Sequence, residues 1–152
     1  MRRNEKEITD DNLIAEILQS NRICHVALVD GDKPYIVPMN YGLHGKTIYL
    51  HSATEGKKLD LIRKNQNVCL EVSDSIEIKT SEKACSFGTG FRSVICKGII
   101  EIISGREEKT QGLQIIMKQH TDLSSWDFPT SAVDRTIVYR IIPDEITGKI
   151  SG

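Results

Sequence analysis

Nothing in this chain spans a bilayer as an apolar helix would: no apolar run approaches the ~20 residues that crossing requires. Nor does it carry a field of one sign. Twenty Lys and Arg against 21 Asp and Glu leave a formal net charge of −1 and a pI near 6.4, so no global basic surface recruits nucleic acid or membrane. The four cysteines (Cys24, Cys69, Cys85, Cys96) stand at wide, irregular intervals with no C-x-x-C pair. They read as reduced thiols of a reducing compartment. The usual zinc spacings are missing, and the neighbours Cys24 and His25 would point to opposite faces of a strand, so no metal is expected. There is no Gly-x-Gly-x-x-Gly fingerprint, so any nicotinamide cofactor would bind transiently. No catalytic triad, carboxylate pair, internal repeat, low-complexity tract or linker is visible. Basic Met1-Arg2-Arg3 is followed by "NEKEITDDN" rather than by the apolar core of a signal peptide, which makes the cytoplasm the expected location.

What is there suits one soluble domain. A chain of 152 residues, 39% hydrophobic and 27% charged, is ordinary in composition and long enough to bury a core without disulfides or metal. We read residues 1–21 as an N-terminal helical region and 22–152 as a body of strands with connecting helices. In "DDNLIAEILQSN" Asp10 or Asp11 is a plausible N-cap, and Leu13, Ile14, Ile17 and Leu18 recur at helical spacing. "RICHVALVD" (22–30) reads as a strand, "DGDKP" as a hairpin turn, and "YIVPMNYGL" (35–43) as the returning strand. Pro38 removes a ladder hydrogen bond, so 35–43 is an edge strand, a bulged one, or one whose free backbone faces a ligand.

"TIYLHS" (47–52) is a third strand and "KKLDLIRK" (57–64) a short helix with Leu59 and Ile62 inward. "NVCLEVS" (67–73) is a strand, and 74–90 reads as a long loop. "FRSVICKGIIEII" (91–103) is a long strand in which Gly98 marks a bulge or a close backbone approach. Residues 107–120 carry the longest helical pattern, with Leu113, Ile116 and Met117 on one face. Trp126 reads as a packing anchor, or as the wall of a pocket. "TIVYRIIPDEITGKIS" reads as a strand, a proline break and a final short strand. The pattern points to a mainly β fold with helices, a small barrel or an α+β fold.

The densest polar chemistry lies in "YLHSATEGKKLDLI" (49–62). Gly56, Lys57 and Lys58 open a helix, where free N–H groups and the dipole attract an anion, and Ser52 and Thr54 could add hydroxyls. The alternative is a solvated turn with Thr54 as N-cap. Ser93, in "TGFRSVICKG", approaches the same ligand if strand 91–103 lies beside strand 47–52. Otherwise Arg92 and Ser93 are faces of a half-buried strand. His51 titrates near neutral pH and could stack, bond or transfer a proton, although no nucleophile or acid lies near it in sequence. His44 and His120 receive no role.

Taken in order, "RICHVALVDGDKPYIVPMNYGL", "IYLHSATEGKKLDLIRKNQNVCLEV", "FRSVICKGIIEI" and "EEKTQGLQIIMKQH" resemble the flavin-binding split-barrel family that contains pyridoxamine 5′-phosphate oxidase. Within it they resemble most the nitroimidazole-resistance (Nim-type) branch. The resemblance implies a six-stranded antiparallel split barrel and a homodimer with one FMN per subunit in a groove between chains. It also implies that the flavin ring lies against Pro38, Met39, Asn40 and Tyr41, with His51 and Ser52 toward the ribityl and phosphate end. Lys57 and Lys58 then hold the phosphate, and Ser93 stands where the oxidases carry a flavin-contacting glutamine. In the Nim-type branch the histidine at the place of His51 is the one tied to activity. The Arg-x-His arrangement with which the oxidases hold their substrate's phosphate is absent: Arg135 and Arg140 stand alone in "VDRTIVYRIIPDEITGK". The implied activity is thus FMN-dependent reduction of a small molecule, a nitro-aromatic or related acceptor, rather than pyridoxamine phosphate oxidation. A non-catalytic flavin- or haem-binding barrel for storage or sensing is the alternative.

Overall fold

A computed structural model describes residues 4–123 and 125–152; Met1, Arg2, Arg3 and Ser124 lie outside it. Seven strands and four α-helices follow in the order β1 (Glu7–Ile8), α1 (Asp11–Ser20), β2 (Ile23–Asp30), β3 (Lys33–His44), β4 (Thr47–Ala53), α2 (Lys57–Lys64), β5 (Asn67–Lys79), β6 (Gly88–Ile103), α3 (Arg106–His120), α4 (Thr130–Asp134) and β7 (Thr136–Ser151). Strand order is β1-β7-β4-β3-β2-β5-β6 with β7 also paired to β6, so β2 to β7 close on themselves. All pairings are antiparallel. The expected six-stranded barrel is therefore observed, with two-residue β1 added to the edge of β7.

Alternation explains the interior. Cys24, Val26 and Leu28 of β2, Ile48 and Leu50 of β4, and Val94, Cys96 and Ile100 of β6 point inward and join one buried cluster. Their neighbours in sequence stay on the outer face. Cys24 and His25 do take opposite faces: Cys24 is buried, and His25 Nδ1 lies 3.2 Å from Glu71 across the β2–β5 pair. Asp10 caps α1, its carboxylate accepting from Asn12 N at 2.9 Å. Helix α2 seats Leu59, Leu61 and Ile62 in the same cluster. Helix α3 packs instead on the outside of the barrel. There Ile103, Leu113, Val133 and Val138 form a second, smaller core with Tyr49 and Phe128 against it. The backbone at Trp126 is tied to α3, its N–H donating to Gln114 Oε1 at 3.1 Å.

Two sequence expectations are corrected. Residues 74–90 are not a loop: β5 runs to Lys79 and β6 starts at Gly88, with Glu77, Ile78 and Lys79 opposite Gly90, Thr89 and Gly88. A register shift between Asp74 and Glu77, with Ser75 at φ 52°, interrupts the alternation that would have shown the strand. The C-terminal segment is one 16-residue strand rather than two, since Pro143 occupies a register shift opposite Gly98. Gly98 does mark a close approach, because a Cβ there would stand 2.9 Å from the Ile142 carbonyl oxygen.

Candidate functional site

Strands β3 and β4 begin as a hairpin and then part. Their ladder runs from His44↔Thr47 to Tyr41↔Leu50 and stops. Continued, it would set Asn40 opposite His51, Met39 opposite Ser52 and Pro38 opposite Ala53. Instead β4 stays with β7, pairing His51 with Val138 and Ser52 with Ile137, while β3 stays with β2. The barrel is split at this point.

Pro38 fits the split. Tyr41 N donates to Arg22 O at 3.3 Å, so odd-numbered residues of β3 bond toward β2 and even-numbered ones turn their backbones to the other edge. Pro34 and Pro38 are both even-numbered and neither removes a bond from the β2–β3 ladder. From Pro34 to Asn40 that edge has no strand partner, so the backbone groups of Ile36 and Asn40 face open space beside β4. Pro38 and Asn40 are exposed. Met39 and Tyr41 are not: both side chains lie in the barrel core, and the Tyr41 hydroxyl donates to Leu18 O at 2.6 Å. Their backbones bond toward β2 as well, so of the four residues only Pro38 and Asn40 turn groups to the split.

On the facing wall stand His51, Ser52 and the start of α2. Gly56, at φ +118°, caps α2 by backbone alone, its carbonyl accepting from Leu59 N at 2.9 Å and Asp60 N at 3.2 Å. Thr54 is therefore not the N-cap, and the first N–H groups of the helix carry no side-chain cap. The two lysines diverge. Lys57 is already engaged, 2.8 Å from Asp30 and 4.9 Å from the centre of the Tyr35 ring. Lys58 makes no ion pair among the described residues, and burial pushes its ammonium pKa down. Its charge bears on His51, whose imidazole is held below its ordinary 6.5 by burial and then by Lys58 and His120. His51 Nδ1 is buried with no hydrogen-bond partner among the described residues.

Ser52 is spent. Its hydroxyl donates to Ala53 O at 2.8 Å and lies 2.7 Å from the buried Tyr139 hydroxyl, which leaves it no proton for an anion. The charge of Arg63, a second cation of α2 to which the helical reading of 57–64 gave no role, bears on the Tyr139 hydroxyl. Ser93 stands apart, because β7 intervenes between β4 and β6. Ser93 faces Lys149, twelve residues along β7 from the Ile137 that faces Ser52, about 40 Å of strand. Arg92 beside it is fixed by Asp74 at 2.8 and 2.9 Å and by Glu16 at 2.7 Å. A separate cavity of about 280 Å³ lies between α1, the β3–β4 turn and β7. Its walls combine the apolar Ile14, Leu18, Leu43 and Ile146 with the charged Asp11, Lys46 and Asp144, and lie away from the split.

The split, the free edge of β3 and the cationic start of α2 can be set beside known proteins. The sequence model of the pyridoxamine 5′-phosphate oxidase family matches residues 10–150. The chain belongs to that family. A candidate 5-nitroimidazole antibiotic resistance protein of Bacteroides thetaiotaomicron shares 34% identity, with 95% of this chain and 86% of that one covered and a TM-score of 0.85. The resemblance to the nitroimidazole-resistance branch is thereby supported. The same fold recurs in a flavocytochrome of Azotobacter vinelandii (21% identity, TM-score 0.88, covering 100% of this chain and 72% of that one). It recurs also in an FAD- and haem-binding protein of Mycobacterium smegmatis (18%, 0.87, 96% and 73%). A search of curated proteins found no match. The two arginines singled out in the C-terminal segment both have protein partners. Arg140 is bound to Glu101 at 2.6 Å, and Arg135 donates to Ser131 O at 3.1 Å. No helix among the described residues is long and apolar enough to cross a membrane.

Proposed function

We propose that this protein is an FMN-binding flavoprotein that works as a homodimer and reduces a small nitro-aromatic or related acceptor. The observation that carries the reading is the split itself. An unpaired backbone edge from Pro38 to Asn40 faces a half-buried histidine and an uncapped, Lys58-bearing helix start. A planar, hydrogen-bonding ring suits the first wall, and a phosphate suits the second. The orphaned Nδ1 of His51 fits a ligand bound in the split that supplies its missing partner.

Bound flavin would supply hydride or single-electron transfer. The residues of the chain would do the rest. Lys58 and the first N–H groups of α2 hold the phosphate, with Lys57 kept outside by Asp30. The Pro38 carbonyl and the backbone of Asn40 orient the ring, while Met39 and Tyr41, whose backbones bond toward β2 and whose side chains fill the core, support that wall from behind. His51, neutral near pH 7, stands at the wall as a donor or acceptor rather than as a charge. Ser52 serves indirectly, by fixing Tyr139 against β4. Within one chain Ser93 is too far from Lys58 to share its ligand. Its part in the site would be in the groove of a second copy. A second copy is also favoured by the outer face of the barrel, where Ile23, Ile36, Ile95, Ile99 and Ile142 are exposed at 38–63%.

Purified protein should be yellow, with flavin absorption bands and a mass in solution twice that of the chain. A colourless monomer that fails to take up added FMN would end the reading. The half-buried His51 keeps haem in view as a second ligand, and a Soret band in place of the flavin bands would select it.

A further inference from the structure

Two buried ring nitrogens have no hydrogen-bond partner among the described residues, His51 Nδ1 and His120 Nε2. Unpaired buried polar atoms are few in folded proteins because each has given up water for nothing, so each calls for an explanation. These two belong to one place. His51 leaves β4 where its pairing with β3 has stopped. His120 ends α3, one turn beyond Ile116, whose backbone rests against Gly42 of β3.

That helix end is fixed. Gln119 accepts from Leu43 N at 2.8 Å and donates to the carbonyls of Leu18 and Asn21 at 2.8 and 2.6 Å. His120 is thereby held near enough to His51 for its charge to bear on that ring. No carboxylate completes the pair, since no three His, Cys, Asp or Glu side chains converge among the described residues. The charge beside His51 is the Lys58 ammonium, which repels a metal ion and favours an electron-rich oxygen. A neutral imidazole can turn a donor nitrogen to such an oxygen by its choice of tautomer.

We propose that His51 and His120 form a two-imidazole clamp for a nitro or carboxylate oxygen of the flavin's reaction partner, with His120 as a specificity-determining residue. The clamp rests on the flavoprotein reading for its role but not for its test.

Full-length protein labelled with ¹⁵N in its histidines, loaded with FMN, is titrated with 4-nitrobenzoate and followed through the ring-nitrogen resonances. His51 and His120 should shift together on one binding curve, while His25 and His44 stay still. His120→Ala should raise the dissociation constant about ten-fold, the loss of one hydrogen bond of ordinary strength, and His120→Gln, which keeps a donor, should recover most of it. FMN affinity and melting temperature should be unchanged in both variants. An unaltered dissociation constant in His120→Ala, movement of only one ring, or no binding by the wild type overturns the clamp. Loss of FMN from both variants assigns the nitrogens to the cofactor, which overturns the clamp and leaves the flavoprotein reading standing. If the wild type takes up no FMN, that reading fails, and the same titration of the flavin-free protein decides the clamp. Should His120→Ala not fold, the wild-type titration and His120→Gln suffice.

Discussion

Replacing Gly42 by alanine tests how tightly α3 is pressed against the barrel, and hence what holds His120 in place. A Cβ at this position would lie 2.5 Å from Ile116 Cα and 2.6 Å from the carbonyl carbon and oxygen of Ile115. Relaxed carbon contacts need about 3.5–4.0 Å, so the helix must retreat by roughly 1 Å. All three obstacles are backbone atoms, which no rotamer change removes. Overpacking of a tight core costs about 1–3 kcal/mol, and this geometry belongs at the upper end. The smaller unfolded-state entropy of alanine offsets about 0.4–1 kcal/mol, for a net loss of about 2 kcal/mol. In a domain of this size that lowers the melting temperature by about 4–8 °C. Scanning calorimetry of the flavin-free protein at fixed concentration is the assay, which keeps ligand linkage out of the comparison. Gly88→Ala is the control, because its Cβ would meet only Lys79 Cβ at 3.9 Å. A Gly42→Ala protein that melts with the wild type would refute the close packing of α3 on β3.

Lys58→Ala should weaken FMN binding by about ten-fold or more, the worth of one charge-assisted phosphate contact, whereas Lys57→Ala should leave it nearly unchanged. Equal losses in fluorescence titrations would show that Asp30 does not hold Lys57 away. Because the His51 pKa is depressed in the folded chain, the unfolded chain binds the extra proton as pH falls below 6.5. Stability from this residue is therefore complete above 6.5 and is lost on acidification through the folded pKa, and His51→Asn should flatten that limb of a urea-denaturation profile. Iodoacetamide at pH 8 should modify exposed Cys85 in the native protein and spare Cys24 and Cys96, whose thiols burial pushes up to about 12. Mass spectrometry showing early labelling of Cys24 would mean that the barrel opens.

The strands legible in sequence were those with clean alternation and β-branched residues, such as 23–30 and 47–53. Helix α2 was legible because Leu59 and Ile62 keep helical spacing between Gly56 and Asn65. The strand continuation within 74–90 was hidden because the register shift between Asp74 and Glu77 breaks its phase with 67–73, and because Ile76 and Ile78 are both exposed instead of joining the core. At the candidate site, "VPMNY" and "YLHSA" could be set together by family resemblance. Which atoms they offer could not, since Met39 and Tyr41 share a strand with Pro38 and Asn40 and differ only in the face they turn.

Local residue order determined the elements, the interior set of each strand and the presence of a cationic helix start after β4, because burial period and turn chemistry act over a few residues. The tertiary structure alone decided where β4 leaves β3 for β7, which lysine is free, that Ser52 is engaged and Ser93 remote, and that His120 meets His51. Those outcomes depend on pairing and packing between distant segments, such as those of Ser52 and Tyr139, 87 residues apart. No local pattern encodes the geometry of such contacts, because it arises only when β7 closes the barrel and α3 docks across the seam.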